Sequence, residues 1–260
     1  MRCPNRSLGP AWRTPAIGKG AIRAAGLAAG LAVWGQAADA CRLALVLAMD
    51  VSNSVDADED ALQRQGLAAA LMAQPVRDAF FASDQPVALT VFEWSGRHHQ
   101  RMMQDWVLID SPSTLDQVAA NIAVKPRFYY EFPTAIGYAL GHAGALLDQG
   151  PICDAQTIDI SGDGVNNDGF EAADAIAVFG LQDVTVNGLV VEVPEDAILR
   201  EGRIGLVDYY TRHVIHGPAA FVEVADGFED FARAMETKLV RELGVVMIGS
   251  VPAGPTAADG

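Results

Sequence analysis

The chain has 260 residues, half of them apolar, with 18 basic residues against 33 acidic ones and a net charge of −15. So much apolar surface can form a core and argues against global disorder. The acidic balance argues against nucleic acid as a partner, because phosphate binding depends on Lys and Arg. Three cysteines, none in a CxxC pair, exclude a disulfide-framework mini-protein and disfavour a thiolate zinc site.

Residues 1–40 have the pattern of a secretory signal peptide. Residues 1–23 contain basic residues and no acid, and residues 24–38 carry no charge. The apolar part, 24–34, is shorter than the roughly 20 residues of a membrane-spanning helix, and Ala38-Asp39-Ala40 is a small-x-small cleavage pattern. The sequence predicts cleavage after Ala40 and a periplasmic or secreted protein without membrane insertion in its mature form; an N-terminal membrane anchor is the alternative.

From residue 42 onwards, predicted strands alternate with predicted helices. The strands are expected at 42–49, 87–94, 103–109, 157–160, 184–193 and 221–224. The helices are expected at 56–72, 111–124, 134–147, 169–181 with Asp168 as its cap, 199–215 and 228–243. The pattern predicts one α/β domain, 41–248, with a doubly wound, three-layer, mostly parallel sheet and one antiparallel edge hairpin. Residues 249–260 are expected to form a disordered tail.

Polar residues occupy three loops of this predicted sheet. The first strand runs into Asp50-Val51-Ser52-Asn53-Ser54, Thr134 opens a helix, and Asp163 follows another strand. Ligands of parallel sheets bind at the carboxyl ends of the strands, so these loops are expected to converge. Their hard oxygens are the ligands that Mg²⁺, Mn²⁺ and Ca²⁺ take. The local alternatives are helix capping by Ser54, Asp56 or Thr134 and a turn at Asp163.

This combination of Asp50-x-Ser52-x-Ser54, Thr134 and Asp163-Gly164 resembles the metal-ion-dependent adhesion site of von Willebrand factor A domains. The likeness covers nearly all of residues 42–244, including the order of elements and the edge hairpin. Within that superfamily the chain is similar to an uncharacterised group of secreted bacterial proteins, marked by the stretch at 160–169, Ile-Ser-Gly-Asp-Gly-Val-Asn-Asn-Asp-Gly.

The resemblance implies a role for each site residue. Ser52 and Ser54 would ligate a divalent metal directly, and Thr134 directly or through water. Asp50 and Asp163 would accept hydrogen bonds from ligating waters and hydroxyls. Mg²⁺ is the expected metal, with Mn²⁺ or Ca²⁺ as alternatives. The expected partner is another protein, which would offer an acidic side chain to the open metal position.

The chain departs from the family pattern just before Thr134, where small residues are usual. Here the segment is Phe128-Tyr129-Tyr130-Glu131-Phe132-Pro133. One interpretation is a recognition rim that includes Tyr129, Tyr130 and Glu131, because aromatic residues are enriched at binding hot spots. The alternative is that Phe128 and Phe132 pack in the core. Glu131 either occupies the open metal position or repels an acidic ligand.

The resemblance also makes Cys41 and Cys153 neighbours. They lie near the amino ends of two strands that are adjacent in the implied fold, so a Cys41–Cys153 disulfide is expected. Such a bond suits an oxidising compartment and lies at the end of the sheet opposite the metal residues.

Two other functions compete with metal-dependent protein binding. A metal-independent interaction or scaffold domain would use the loop acids only as helix caps. A metal-assisted hydrolase would need a catalytic group, but the sequence contains no G-x-S-x-G elbow, P-loop or H-E-x-x-H motif. We therefore expect a protein that is not an enzyme.

Overall fold

A six-stranded sheet forms the centre of the protein in the computed structural model, which describes residues 41–193 and 205–249. The strands are β1 (Cys41–Asp50), β2 (Val87–Trp94), β3 (Gln100–Ile109), β4 (Cys153–Gly162), β5 (Thr185–Glu192) and β6 (Val222–Asp226). They follow the order β3-β2-β1-β4-β5-β6, and only β2 and β3 pair antiparallel. This confirms the predicted mostly parallel sheet with an antiparallel edge hairpin.

Helices cover both faces of the sheet. They are α1 (Ala57–Met72), α2 (Gln74–Phe80), α3 (Pro112–Ala123), α4 (Ile136–Gln149), α5 (Ala172–Val178), α6 (Leu206–His213) and α7 (Phe231–Gly249), with a 3₁₀ turn at Phe228–Asp230. One core lies between the sheet and the layer of α1, α2, α3 and α7, and the other lies beneath α4, α5 and α6. The protein is therefore the three-layer α/β structure that the sequence predicts.

Strand β1 explains where the candidate site lies. All ten of its residues are buried. Leu43, Leu45 and Leu47 contribute to one core, whereas the alternate residues Ala44 and Val46 contribute to the other. Because β1 pairs with β2 on one side and β4 on the other, its carboxyl end is the switch point at which a doubly wound sheet opens a crevice for ligands.

Several predicted boundaries need correction. The helix expected at 169–181 begins at Ala172, and its cap is Glu171 rather than Asp168. The side chain of Asp174 accepts from the amide of Glu171 at 3.3 Å, and the backbone carbonyl of Glu171 accepts from the amide of Asp174 at 3.1 Å. Asp168 forms an ion pair with Arg97 instead.

Other elements differ in length or were missed. The strand expected at 157–160 extends over Cys153–Gly162, and the helix expected from 134 begins at Ile136. Helix α2 was not anticipated because it is short, although Pro75 lies in its first turn, as is common at helix starts.

The structure contains the expected Cys41–Cys153 disulfide. The two cysteines are register partners on the parallel strands β1 and β4, with their Cα atoms 4.6 Å apart. The bond joins the amino ends of the two central strands, and Asp50 lies at the other end of β1. The disulfide is thus separated from the candidate site by the length of the strand.

Some expectations fall outside the described residues. They are the signal peptide at 1–40, residues 199–204 of the helix expected at 199–215, and residues 250–260 of the expected tail. In the part of the chain that is described, the helices are all too short or too polar to cross a membrane.

Candidate metal centre

Hydroxyl and carboxylate groups from the three predicted loops meet at the carboxyl end of β1 and β4. The hydroxyl of Ser54 donates to Asp163 Oδ1 at 2.7 Å, and the hydroxyl oxygens of Ser52 and Ser54 lie 3.1 Å apart. The hydroxyl of Thr134 donates to Ser52 Oγ at 3.3 Å. The structure therefore brings together residues that are separated by as many as 109 positions in the sequence.

Asp50 lies at the bottom of this cluster and is fully buried. Its Oδ1 accepts a hydrogen bond of 2.7 Å from the amide of Ser52. Burial raises the pKa of Asp50 well above its usual range, repulsion from Asp163 raises it further, and the bond from Ser52 opposes both effects. Two carboxylates that repel each other in a buried pocket favour a cation between or beside them.

The loop before α4 places Thr134 in the cluster rather than on the helix end. The N-cap of α4 is Ala135, so the alternative of Thr134 as a capping residue is not what the structure shows. Asn167 accepts from the amide of Thr134 at 2.9 Å, and Asn166 accepts from that of Ile136 at 2.9 Å. These two asparagines, from the loop after β4, hold the Thr134 loop in place and leave its hydroxyl turned towards Ser52.

The side chain of Arg127 joins the first loop to the aromatic segment. It donates to the carbonyls of Val51 and Ser52 at 3.0 and 3.3 Å, and to those of Val55 and Asp56 at 2.7 and 2.8 Å. Its Nε also donates to the carbonyl of Tyr129 at 2.7 Å. One guanidinium therefore fixes the backbone that carries Ser52 and Ser54. Asp56, in turn, is the N-cap of α1.

The aromatic segment at 128–133 packs on the hairpin turn at 95–99 and stays largely outside the core. Phe128 and Tyr130 are 56 % and 55 % exposed. Phe132 stacks on the ring of His99, with centroids 3.4 Å apart. Burial lowers the pKa of His99, with a smaller contribution from His98, which favours a neutral ring. The exposure of Phe128 agrees with a surface rim and contradicts the core alternative for this residue.

The residues of this cluster fit the divalent metal that the resemblance implies. Among residues 41–193 and 205–249, no three His, Cys, Asp or Glu side chains group into a metal site, so hydroxyls would have to contribute ligands. Ser52, Ser54 and Thr134 carry such hydroxyls. The hydroxyl oxygen of Ser52 lies 3.1 Å from that of Ser54 and 3.3 Å from that of Thr134. Asp50 Oδ2 is buried and lacks a hydrogen-bond partner in the described structure. This donor set fits a hard dication.

Sequence reasoning missed the residues that hold the loops. Arg127, Asn166 and Asn167 act through backbone hydrogen bonds, and Gln63 of α1 donates to the carbonyl of Asp50 at 3.1 Å. Of these, only the two asparagines lay in a stretch that the sequence had singled out, between Asp163 and Gly169. A buried polar position on the inner face of α1 would have been the signal for Gln63.

Comparisons with solved structures agree with this architecture. Von Willebrand factor type A from Catenulispora acidiphila is 15% identical, with a TM-score of 0.51, over 79% of this chain and 43% of that chain. The pilus adhesin SpaC from Lactobacillus rhamnosus GG is 13% identical, with a TM-score of 0.54, over 80% of this chain and 31% of that chain. Proximal thread matrix protein 1 from the mussel byssus, in a structure whose MIDAS motif is described as zinc occupied, is 15% identical, with a TM-score of 0.51, over 79% and 48%.

The protein therefore has the von Willebrand factor A fold, as the resemblance implied. The chain spans less than half the length of these three proteins, and at such low identity the likeness shows the fold alone. No curated protein is significantly similar in sequence. The chain belongs to the family described as "Protein of unknown function (DUF1194)", whose model matches residues 40–247.

Proposed function

We propose that this protein is an exported, metal-dependent protein-binding module, formed by residues 41–248. Convergence of the Asp50–Ser54, Thr134 and Asp163 loops into one buried polar cluster carries the proposal. The hydroxyls of Ser52 and Ser54 would hold Mg²⁺, or Mn²⁺ or Ca²⁺ in its place. The adhesin and the zinc-occupied motif among the similar folds support this assignment.

The remaining three site residues, Thr134, Asp50 and Asp163, would complete the surroundings of the metal in two different ways. Thr134 would bind directly or through a water. Asp50 and Asp163 would accept hydrogen bonds from ligating hydroxyls and waters and balance the charge. When bound, the cation supplies an electrophilic position that takes a carboxylate from a partner protein.

The aromatic rim at 128–133 is the proposed contact surface for that partner. Tyr130 is exposed, and the guanidinium of Arg127 lies 4.9 Å from its ring centroid. Arg101 lies 3.8 Å from the ring centroid of Phe128, so the rim combines aromatic faces with positive charge. Tyr129 completes the rim, and Glu131 is an exposed acid on it with φ of 62°. We propose that Glu131 repels partners that would place another acidic residue against the rim, in addition to the one that binds the metal.

Export is supported by two features of the chain. One is the signal-peptide pattern of residues 1–40 with cleavage after Ala40. The other is the Cys41–Cys153 disulfide, because such bonds persist in oxidising compartments such as the periplasm.

Titration of Mn²⁺ and Mg²⁺ into the purified protein tests the metal site. We expect one-to-one binding that weakens at least about tenfold in Ser52→Ala and in Asp50→Ala, because each removes an oxygen of the site. Ser161→Ala is the matched control: this buried serine donates to the carbonyl of Ala48 at 3.3 Å rather than to any of the five site residues. Equal calorimetric isotherms for wild type and Ser52→Ala would refute the metal site.

Partner binding is tested by capture from periplasmic or secreted protein in Mg²⁺ and in EDTA. The proposal requires a captured protein that is lost in EDTA and with Ser52→Ala but retained with Ser161→Ala.

A metal-independent scaffold is the second candidate. It is favoured by one observation: the hydroxyls of Ser54 and Thr134 already donate to Asp163 and Ser52 within the cluster without a metal. Equal melting temperatures in EDTA and in millimolar Mg²⁺, together with metal-independent capture, would establish it in place of the first. Catalysis is not part of either proposal, and a turnover screen with phosphate and carboxylic esters checks that exclusion.

A further inference from the structure

Two buried oxygens face each other beneath the candidate metal centre. They are Oδ2 of Asp50 and the hydroxyl of Tyr210, and neither has a hydrogen-bond partner in the described part of the chain. Both residues are 0 % exposed. Buried polar atoms without partners are rare, because each one costs the free energy of its lost hydration. Such a pair next to a binding site therefore needs an explanation.

Gly162 shows how close the two oxygens are. A Cβ atom at Gly162 would lie 2.5 Å from the Tyr210 hydroxyl and 2.9 Å from Asp50 Oδ2. The separation of the oxygens is thus at most the sum of those two distances, which one direct hydrogen bond or one bridging water can span. Only glycine allows this approach, since a Cβ atom at 162 would clash with both groups.

The position of Tyr210 is set by the surrounding fold. Helix α6 carries it, and its ring packs against β5 where Gly188 leaves room, because a Cβ there would lie 2.8 Å from the ring. The preceding residue, Tyr209, accepts a hydrogen bond of 3.2 Å from the amide of Asn166. Helix α6 thereby reaches both β1 at Asp50 and the loop that follows β4.

The two carboxylate oxygens of Asp50 differ in how they are held. Its Oδ1 accepts a hydrogen bond from the amide of Ser52, whereas Oδ2 has no hydrogen-bond partner among the described residues. Groups behind a metal ligand orient it, and their loss typically weakens metal binding by about 10- to 100-fold. Among the described residues, the Tyr210 hydroxyl is the donor that the geometry places at Oδ2.

We propose that Tyr210 is a positioning residue of the metal centre, whose hydroxyl donates to Asp50 Oδ2 directly or through one water. This inference rests on the proposed metal-binding function. It assigns helix α6 a part in metal affinity that the three-loop motif does not contain.

The test is calorimetric titration of Mn²⁺ into wild type, Tyr210→Phe and Thr211→Val, with the metal-free melting temperature of each. Tyr210→Phe keeps the ring and removes only the hydroxyl, and we expect Mn²⁺ affinity to fall about tenfold. The metal-free melting temperature should stay within about 3 °C of wild type, because the loss of one hydroxyl hydrogen bond changes the stability of a domain of this size only slightly. Thr211→Val removes a hydroxyl from the same helix that bonds only the carbonyl of Val207, so its affinity should match wild type.

The outcomes separate this inference from the proposed function. If wild type binds Mn²⁺ and Tyr210→Phe binds it equally well, the role of Tyr210 is wrong and the proposed function stands. If wild type binds no Mn²⁺, both fail. Should Tyr210→Phe also lower the metal-free melting temperature further than expected, Gly162→Ala provides a second route. Its effect on affinity should be less than additive with that of Tyr210→Phe, and additive effects would overturn the proposal.

Discussion

Replacement of Lys238 by methionine is expected to lower the free energy of unfolding by about 3–5 kcal/mol. Lys238, on α7, is fully buried, with its ammonium nitrogen 3.0 Å from Asp159 Oδ1 on β4 and 2.5 Å from Glu242 Oε1. Asn187 donates to the same oxygen of Glu242 at 2.7 Å. Removing the one cation would leave two buried carboxylates without a counter-charge. Urea unfolding of wild type and Lys238→Met at neutral pH measures the loss.

The pH dependence of that loss provides a check on its cause. Burial raises the pKa of Asp159 to about 7, with Lys238 opposing and Glu242 adding to the shift. A carboxyl whose folded pKa is raised binds more protons in the folded state, so its contribution to stability is lost as the pH rises through about 7. The loss in Lys238→Met should therefore be smaller at about pH 5 than at about pH 8.

Neutralising the acids is the matched control for Lys238→Met. In an Asp159→Asn, Glu242→Gln background most of the loss should disappear, because the methionine then replaces a cation that has no buried anion to balance. If the loss persists there, lost packing of the lysine stem rather than uncompensated charge is the cause.

Loss of the disulfide is expected to have a comparable effect. Cys41 and Cys153 are 112 residues apart, and a closed loop of that size stabilises by about 4–5 kcal/mol in the chain-entropy model. The double variant Cys41→Ser, Cys153→Ser avoids leaving a single reactive thiol, and chemical unfolding compares it with the oxidised wild type. Mn²⁺ affinity should not change, since the bond lies at the far end of β1 from Asp50. A stability loss below about 1 kcal/mol would contradict this account.

The fold could be predicted because most of its strands and helices have clear signals in their own local sequence. The uninterrupted apolar run of β1 indicates burial on both faces, and Asp56 with Glu59 forms a capping box at the start of α1. The prediction of Asp168 as the cap of α5 was wrong because the local sequence offers two similar candidates. Both Asp168 and Glu171 are acids ahead of an apolar run, and only the ion pair of Asp168 with Arg97, 71 residues away, decides between them.

The sequence could predict those residues of the candidate site that lie at the ends of strands. Asp50, Ser52 and Asp163 follow apolar runs, so their convergence follows from the sheet. Arg127 and Tyr210 could not be found in this way, because Arg127 bonds backbone carbonyls and Tyr210 resembles an ordinary core aromatic in sequence. Their roles depend on which loops the tertiary structure brings to them.

Strand β1 also makes one part of the candidate site more rigid than the rim at 128–133. It is hydrogen-bonded along both edges and buried over its whole length, so its amides are expected to exchange with solvent only in global opening of the domain. Asp50 is the last residue of that slowest-exchanging strand. The rim at 128–133 has no regular secondary structure, and the exposed side chains of Phe128 and Tyr130 can change rotamer. Its backbone stays tied to the Asp50–Ser54 loop by the hydrogen bond from the amide of Asn53 to the carbonyl of Phe132. We therefore expect a partner to remodel the surface that it touches while the geometry beneath the proposed metal site stays fixed.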